Sequence, residues 1–348
     1  MKWNIPARDG TYRAAALARQ AILTKPTGAL GALEGVAVWL ADIQQSEHPV
    51  AGPAAAIVFA SDHPVSRLGV SAYPREVTPM MVINLATGGA AASVLARLNG
   101  IPLHVVDVGT EPYPDPQPGV GMHWTRSTPA GVVGDLVESD AMDEAALQAA
   151  MQAGAQAVDA MPEGTRIAIF GEMGIGNTTP ASAVSARLMN MTAADVVGPG
   201  TGVEGDALDA KRALVQRALD RTADTDEPLA VLQRLGGREI AAIVGGMGRA
   251  AERGMAILVD GFIVSSAALV ATRHDAHIRD HMWFGHRSAE PGHAHILEAL
   301  DATPLVDAGL RLGEGSGALT ALPLVEASVA LHNQMATFEQ AAVPDKES

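Results

Sequence analysis

The 348-residue sequence contains no cysteine, and this absence removes several classes of site. Disulfide bonds, iron–sulfur clusters, cysteine-ligated zinc and thiol nucleophiles all need that side chain. Aromatic residues are also scarce, at 3%, although hydrophobic residues make up 48% of the chain. A core with so few rings is built from aliphatic side chains, which suits helices packed closely on a sheet.

Positively charged side chains are also scarce. The chain has 24 basic and 39 acidic side chains, for a net charge of −15. Such a surface repels phosphate backbones, so no nucleic-acid partner is expected. An anionic small substrate would need a local pocket of basic side chains or backbone amides to overcome that field.

Long hydrophobic runs are missing as well. The stretch we judge most apolar, 257–271, contains Asp260 and is shorter than the roughly 20 residues that a membrane span needs. Residues 1–10, MKWNIPARDG, lack the apolar segment of a secretory signal. We therefore expect no membrane partner and a cytoplasmic location.

What the chain does contain is an alternation of apolar runs and helical segments. Residues 55–60 form an apolar run that stops at Ser61, as a buried parallel strand does where it meets a loop. The other predicted strands are 102–108, 166–170, 240–244 and 256–259. The predicted helices are 11–23, 29–45, 85–98, 142–161 and a stretch from 319 to 339.

This alternation predicts an α/β fold. The expected architecture is a doubly wound, mostly parallel, Rossmann-like sheet with helices on both faces. Helical segments at the two ends of the chain predict a small helical domain formed by 1–49 and 304–348. The large nucleotide-binding domain would then span 50–303.

The most informative motif is GEMGIGNTTP at 171–180. It lies between a predicted strand and a predicted helix, where open α/β sheets bind ligands. Its glycines let backbone N–H groups approach an anion, and the helix N-terminus adds a favourable dipole. We interpret the segment as a phosphate-binding loop with Glu172 at its mouth, in preference to a turn that only begins a helix.

A second glycine-rich segment, GTGVEG at 200–205, matches the GxGxxG pattern of dinucleotide-binding folds. No convincing strand precedes it, and that fingerprint requires one. We interpret it as a second turn that contacts an anion. Lys211, on the helix that follows, would supply the positive charge that an acidic protein needs beside a phosphate.

A third motif, RLGEGSG at 311–317, places Glu314 between two glycines. Flanking glycines leave a carboxylate little cover, so it is free to reach a ligand. The alternative is a loop glutamate exposed to solvent. We favour a functional carboxylate.

Histidines are dense between 274 and 295, so a metal site has to be weighed. His277 and His281 are four residues apart and would share a helix face. No H-E-x-x-H motif accompanies them, and we predict no metal site. Asp62 and His63, at the end of a predicted strand, are either catalytic or ordinary loop hydrogen-bonding residues.

Taken together, these motifs resemble the family of nicotinate-nucleotide:dimethylbenzimidazole phosphoribosyltransferases, which builds the lower ligand of cobalamin. The matching segments occur in the family's order along almost the whole chain: 24–31, 171–179, 200–202, 288–293, 311–317 and 335–338. The resemblance implies a homodimer without a cofactor. Its substrates would be nicotinate mononucleotide and a benzimidazole-type base.

The resemblance also assigns roles to individual residues. Glu314 resembles the general base and Glu172 a second active-site acid, while Ser71 falls where the family contacts the incoming base. The residues that resemble contacts to the nucleotide and its phosphate are Gly174, Gly176, Asn177, Thr178, Gly202, Lys211, Ser288 and Gly317. Pro79 stands where we expect a glutamine in the base pocket. Proline has no side-chain donor, so the identity of the base stays open.

Four alternatives follow. One is a non-catalytic nucleotide sensor, although two glycine-flanked glutamates beside anion-binding loops favour chemistry. A related enzyme with the same fold and donor could attach adenine, a phenol or another benzimidazole. An NAD-dependent oxidoreductase would use residues 200–205 for its cofactor, and a metal hydrolase would use the histidines.

Overall fold

The computed structural model describes residues 2–127 and 130–344. Its centre is a six-stranded sheet in which every pair of neighbours is parallel, in the order β3-β2-β1-β4-β5-β6. The strands are β1 (Ala54–Ala60), β2 (Leu103–Asp107), β3 (Met122–Arg126), β4 (Ile167–Met173), β5 (Ala256–Val259) and β6 (Met282–Phe284). The predicted doubly wound, parallel α/β fold is therefore confirmed. The strand order reverses between β1 and β4, where open sheets of this kind form a ligand crevice.

Fourteen α-helices lie within the described residues. They are α1 (Thr11–Ile22), α2 (Ala32–Gln44), α3 (Val77–Thr87), α4 (Ala91–Leu98), α5 (Glu144–Asp159), α6 (Thr178–Met189), α7 (Ala193–Val196), α8 (Asp206–Arg221), α9 (Pro228–Leu235), α10 (Arg238–Glu252), α11 (Phe262–His274), α12 (Pro291–Ala299), α13 (Ser316–Gln334) and α14 (Phe338–Ala341).

The core lies on both faces of the sheet, because alternate residues of a strand point in opposite directions. On β1, Ile57 and Phe59 join a cluster with helices α5, α6, α10 and α11. Val58 joins the opposite cluster, with α2, α3, α4 and α13. Every residue of β1 is buried, which explains why it is a continuous apolar run. Aromatic contacts among the described residues are few. In one of them Phe59 stacks on Phe170, with ring centres 6.4 Å apart.

Two sequence predictions of secondary structure are wrong. Residues 240–244 lie inside helix α10, not in a strand. This helix is buried on nearly all sides between α5, α11 and the sheet, so its apolar run lacks the polar face that marks a helix. The predicted helix 85–98 covers the end of α3 and the whole of α4. The break between them is at Gly88, which follows the last residue of α3 and has a φ of 96°.

Strands β3 and β6 were not predicted. β6 has only three residues, and β3 lies at an edge where most of its side chains are partly or fully exposed. The pattern that revealed β1 is missing from both, because β3 has no buried apolar run and the buried run of β6 is too short to stand out.

The two ends of the chain meet. The Arg19 side chain on α1 donates to the backbone oxygens of His332 (2.6 Å) and Asn333 (3.1 Å) at the end of α13. Both α2 and α13 also pack against one face of the sheet. The division into a large and a small domain stays a prediction, and residues 345–348 of the small domain lie outside the described residues.

One helical segment, Val77–Leu98, is long and apolar enough by composition to cross a membrane. By length and composition it is therefore a better candidate for a membrane span than the stretch 257–271. A single segment of this kind is weak evidence, because core helices pass the same test. Here the segment is broken at Gly88, and Val82, Leu85 and Ala92 pack in the core against the sheet.

Candidate active site

A cavity of about 340 Å³ opens at the carboxyl ends of β4 and β5, at the first turn of α6 and at the turn that precedes α13. Its apolar wall consists of Tyr73, Val77, Met81, Met173, Ile175, Phe262, Ile263 and Leu312. Its polar groups include Glu172, Asn177, Thr178, Asp260, His286, Ser288, Glu290, Arg311 and Glu314. Since Gly174 also lines the cavity, six of the residues predicted from the sequence meet there: Glu172, Gly174, Asn177, Thr178, Ser288 and Glu314.

One end of the cavity has the features of an anion site. Helix α6 begins at Thr178, so its positive N-terminal end faces the cavity. Lys211 of α8 is 1% exposed, and its Nζ donates to Thr178 Oγ1 at 2.8 Å and to the backbone oxygen of Gly198 at 3.2 Å. Burial lowers the pKa of Lys211 to about 8, although the charge of Glu290 acts in the opposite direction. The ammonium therefore lies behind the loop, linked to the cavity through Thr178.

Glu314 also lines the cavity and lies in the turn before α13. Its backbone has a φ of 61°, and its Oε2 accepts a hydrogen bond of 3.1 Å from the N–H of Ala92, in the first turn of α4. Burial raises the pKa of Glu314, and Asp260 adds to the rise, while the N–H groups of Ala91 and Ala92 partly oppose it. A carboxylate with a raised pKa is a stronger base than an ordinary glutamate.

Glu172 belongs to the end of strand β4, not to the loop that follows it. The Asn177 side-chain amide donates to Glu172 Oε2, and Gly313 (φ 87°) passes so close to the other oxygen that no Cβ fits there. Burial raises the pKa of Glu172 well above its ordinary value. The Asn177 amide opposes the rise, and the charges of Glu239, Asp260 and Glu314 add to it.

This raised pKa predicts that Glu172 lowers stability at alkaline pH. A carboxyl whose folded pKa lies above its unfolded value costs nothing below the unfolded pKa of 4.5 and destabilises increasingly as pH rises through the folded value. Glu172→Gln keeps the acceptor for Asn177 and removes the charge. We expect thermal unfolding at pH 8 to shift upward by about 1–2 °C, the effect of roughly 1 kcal/mol in a chain of 348 residues, and to change little at pH 4.5.

The control for this experiment is Glu298→Gln, an exposed glutamate on α12. The melting temperature of Glu298→Gln should equal that of the wild type at both pH values. A melting temperature for Glu172→Gln that is lowered equally under the acidic and the alkaline condition would contradict the assignment, because it would mean that shape and not charge is what the position requires.

Sequence reasoning missed two residues of the cavity and one of its supports. Asp260, directly after β5, accepts from the N–H groups of Gly315 (3.2 Å) and Ala318 (2.9 Å) and so holds the start of α13 beside Glu314. His286, just after β6, lies with its Nε2 3.5 Å from Asp260 Oδ1. The support is the N–H of Ala92, in the first turn of α4, which donates to Glu314. The common signal for Asp260 and His286 is a polar residue just beyond a buried strand.

The remaining predicted residues lie around the cavity and do not line it. Ser71 Oγ is 2.8 Å from the hydroxyl of Thr201, a lining residue at the mouth. Gly202 has a φ of 110° in the same turn as Thr201. Gly176 has a φ of 90°, and a Cβ there would meet Val70.

Two further positions have a packing environment that the sequence did not indicate. Gly317 lies against the ring of His286 so closely that no side chain fits. Pro79 is partly buried near the start of α3, whereas the residues of α3 that line the cavity are Val77 and Met81.

The histidine pair weighed as a metal site does not converge. His281 is buried, and its Nδ1 lies 2.8 Å from the backbone oxygen of Met255, whereas His277 is exposed and its Nδ1 lies 2.9 Å from Asp275. Across residues 2–127 and 130–344, no group of three histidine or acidic side chains is arranged to hold a metal ion.

Asp62 and His63 have structural partners. Asp62 Oδ2 accepts from the N–H of Glu111 at 2.6 Å, and His63 Nε2 lies 2.7 Å from Glu239 Oε1. The GxGxxG segment at 200–205 follows helix α7 and not a strand, so it lacks the context of a dinucleotide-binding fingerprint.

Comparisons with known proteins agree on one family. A family model described as phosphoribosyltransferase matches residues 5–343. The chain is 49% identical to nicotinate-nucleotide–dimethylbenzimidazole phosphoribosyltransferase of Pseudomonas fluorescens, covering 99% of this chain and 98% of the relative. The protein of that name from Xanthomonas axonopodis is 47% identical over 97% of this chain and 96% of its own. The crystal structure of CobT from Thermus thermophilus superposes with a TM-score of 0.85 at 41% identity, covering 96% of this chain and 99% of that one.

A parallel sheet with an anion-binding helix end and buried carboxylates in one crevice, together with the match along 5–343, defines this chain as a phosphoribosyltransferase. It belongs to the family of nicotinate-nucleotide–dimethylbenzimidazole phosphoribosyltransferases. Neither a metal hydrolase nor an NAD-dependent oxidoreductase is supported.

Proposed function

We propose that this protein transfers the 5-phosphoribosyl group of nicotinate mononucleotide to 5,6-dimethylbenzimidazole, giving α-ribazole phosphate and nicotinate. The observation that carries this proposal is a single cavity lined both by the anion site near Thr178 and by the buried carboxylate Glu314. The names of the relatives supply the substrates. The product would enter the lower ligand of cobalamin.

The donor phosphate would bind at the N-terminus of α6, where Gly174, Asn177 and Thr178 line the cavity. Lys211 would supply the positive charge through Thr178, and Ser288 a hydroxyl from the opposite wall. Gly176 and Gly202 would allow the turns that these contacts need, since both have a positive φ.

Glu314 would act as the general base. A benzimidazole nitrogen attacks C1′ of the ribose, and the bond from C1′ to the pyridine nitrogen breaks with its electron pair moving onto that nitrogen. The leaving ring departs neutral, so no acid has to protonate it, in contrast to glycoside hydrolysis. Attack leaves a proton on the second benzimidazole nitrogen, and Glu314 takes it. Attack opposite the leaving group converts the β-nucleotide into an α-ribotide.

Glu172 would be the second acid of the site. Its position on β4, bonded to Asn177 of the phosphate loop, suits a carboxyl that holds ribose hydroxyls or stabilises positive charge developing at C1′. Both roles need a fixed side chain, and the contacts to Asn177 and Gly313 supply one.

The acceptor base would occupy the apolar wall. Val77 and Met81 are one helical turn apart on α3 and line the same cavity as Met173 and Leu312, which suits a flat ring bearing two methyl groups. Ser71 would contact the base from the mouth through the turn that holds Thr201. Because Pro79 is not the glutamine that the family resemblance leads us to expect, competition assays with adenine, phenol and unsubstituted benzimidazole should define the preferred acceptor.

A homodimer and a cytoplasmic location complete the proposal. Three large apolar side chains at or beside the mouth of the cavity are exposed, namely Tyr73 (56%), Met80 (65%) and Leu312 (60%), and such exposure is typical of a surface that another chain covers. Sedimentation at micromolar concentration would test the dimer.

The activity itself is tested by product analysis. Purified protein is incubated with nicotinate mononucleotide and 5,6-dimethylbenzimidazole, and the products are separated and their anomeric configuration is assigned by NMR. We expect equal amounts of nicotinate and α-ribazole phosphate. The proposed function would be contradicted if the protein released no nicotinate with any of the four acceptors, which are 5,6-dimethylbenzimidazole, adenine, phenol and unsubstituted benzimidazole.

A further inference from the structure

Glu290 is a buried carboxyl group that lines the cavity and takes no part in the proposed chemistry. It lies directly before α12, is 5% exposed, and its side chain does not cap that helix. Its Oε2 is enclosed and has no hydrogen-bond partner among residues 2–127 and 130–344. A buried carboxylate oxygen without a hydrogen bond is costly, so the charge at this position calls for an electrostatic explanation.

The turn that precedes α8 brings this carboxyl to the anion site. Gly198 passes so close to Glu290 Oε2 that a Cβ at the glycine would collide with it. The backbone oxygen of Gly198 also accepts from Lys211 Nζ, at 3.2 Å. At Gly200, a Cβ would meet Lys211 Nζ and the hydroxyl of Thr178. The carboxyl, the ammonium and the start of α6 therefore enclose one short turn.

Two positive charges act on the carboxyl. Burial raises the pKa of Glu290. The charge of Lys211, the N–H of Gly200 and the charge of Arg311 oppose this rise. Arg311 is tied to the same turn, because its guanidinium donates to the backbone oxygen of Gly200 at 3.4 Å. The two hydrogen-bond acceptors of Lys211 are a hydroxyl and a backbone oxygen, both neutral, so Glu290 supplies the counter-charge of this buried ammonium.

A bound phosphate would enter this group of charges. A phosphate monoester has a charge of about −2 at pH 7. Lys211 attracts it and Glu290 repels it, and both effects are stronger in the protein interior than in water because the interior screens charge poorly. Since the repulsion acts through space, it needs no contact between the phosphate and the enclosed Oε2.

We propose that Glu290 is the charge-balancing residue of the anion site: it neutralises Lys211 in the free protein and lowers the affinity for phosphate, so that the phosphorylated product can leave. This inference rests on the proposed function, because the phosphate belongs to the donor and the product of that reaction. It gives the site an acidic residue whose effect on both nucleotides is the opposite of that of Lys211.

The test separates the charge of Glu290 from its shape. Glu290→Gln keeps the size of the side chain and removes the charge, while Glu290→Asp keeps the charge and removes one methylene group. Calorimetry gives the dissociation constants for nicotinate mononucleotide, α-ribazole phosphate and inorganic phosphate. The measurements are made at pH 7, below the pKa of about 8 of Lys211, so that the ammonium stays charged. Glu298→Gln, at an exposed position on α12, is the matched control.

We expect Glu290→Gln to bind all three ligands about 10-fold more tightly than the wild type, a change equivalent to roughly 1.4 kcal/mol. The rate of product dissociation should fall by a similar factor, because differences in affinity among variants of one site arise mostly in this rate. Glu290→Asp and Glu298→Gln should stay within about 3-fold of the wild type. A residue that only shapes the turn would give the reverse order, with Glu290→Asp impaired and Glu290→Gln unchanged.

Unchanged or weaker binding of the three ligands by Glu290→Gln would overturn the inference. Circular dichroism establishes first that the variant is folded. If its amide does not fit against Gly198, Glu290→Ala removes the charge without that contact and serves for the same comparison. Failure of the wild type to turn over nicotinate mononucleotide would sink the proposed function, whereas the affinities for inorganic phosphate would still decide the role of Glu290.

Discussion

Glu314→Gln should lose about 10²- to 10⁴-fold in kcat while its affinity for nicotinate mononucleotide changes by less than about 3-fold, the range expected when a general base is removed. Glutamine is isosteric and its carbonyl still accepts from the N–H of Ala92, so the turn before α13 keeps its shape. The amide cannot take the proton from the attacking benzimidazole, which is the only function that the substitution removes.

The matched control is Glu326→Gln, an exposed glutamate on the same helix α13, which should turn over at the wild-type rate. In the wild type, kcat/KM should fall as pH drops through the pKa of Glu314, and burial places this acid limb above the ordinary pKa of 4.5. Near wild-type turnover by Glu314→Gln, or an unchanged acid limb in that variant, would show that another group is the base.

Lys211→Met should raise the KM for the donor by about 10- to 100-fold, because it removes the positive charge near the phosphate together with the charge-assisted hydrogen bond, of roughly 1.5–3 kcal/mol, that holds Thr178. The methionine side chain fills most of the buried space of lysine, so the expected loss is one of charge. kcat at saturating donor should fall by much less, since Lys211 donates to Thr178 and Gly198 and has no part in the proton transfer to Glu314.

Lys211 should also make donor binding depend on pH, in the direction opposite to the effect of Glu314 on kcat/KM: donor binding should weaken as pH rises. Burial lowers the pKa of Lys211 to about 8, so in the free protein the ammonium loses its proton as pH rises through this value. The KM for the donor should therefore rise between about pH 7 and pH 9 in the wild type and stay level in Lys211→Met. Arg217→Met, an exposed position on the same helix, serves as the control. A level KM in the wild type over this interval would contradict the role of Lys211.

The sequence predicts the centre of this fold because β1 is buried on both faces. A strand without a polar face is a short apolar run, and Ser61 marks its end plainly. Helix α10 is misread for the same reason: it too is buried nearly all round, and Ile240, Ile243 and Val244 are residues typical of strands. Edge strand β3 escapes prediction because it has no buried run. The sequence pattern of apolar residues indicates which side chains are buried. A fully buried helix and a fully buried strand give the same pattern, so the pattern cannot distinguish them.

The candidate site follows the same logic. Glu172 and Glu314 are recognisable because glycines surround them within a few residues of sequence. Asp260 and His286 are far apart in the sequence, and their significance comes from neighbouring strands β5 and β6 ending at the same edge of the sheet. The contact between Ala92 and Glu314 joins residues 222 positions apart, and no local motif predicts a backbone N–H as the partner of a base.

The most direct test of the account is the structure of a crystal soaked with nicotinate mononucleotide. We predict the phosphate at the N-terminus of α6, beside Thr178 and in reach of the charge of Lys211, with C1′ of the ribose turned toward Glu314. The face of C1′ opposite the nicotinate ring should be open toward the apolar wall formed by Val77 and Met81. A nucleotide bound with its phosphate elsewhere, or with Glu314 on the far side of the cavity from C1′, would contradict the central claim.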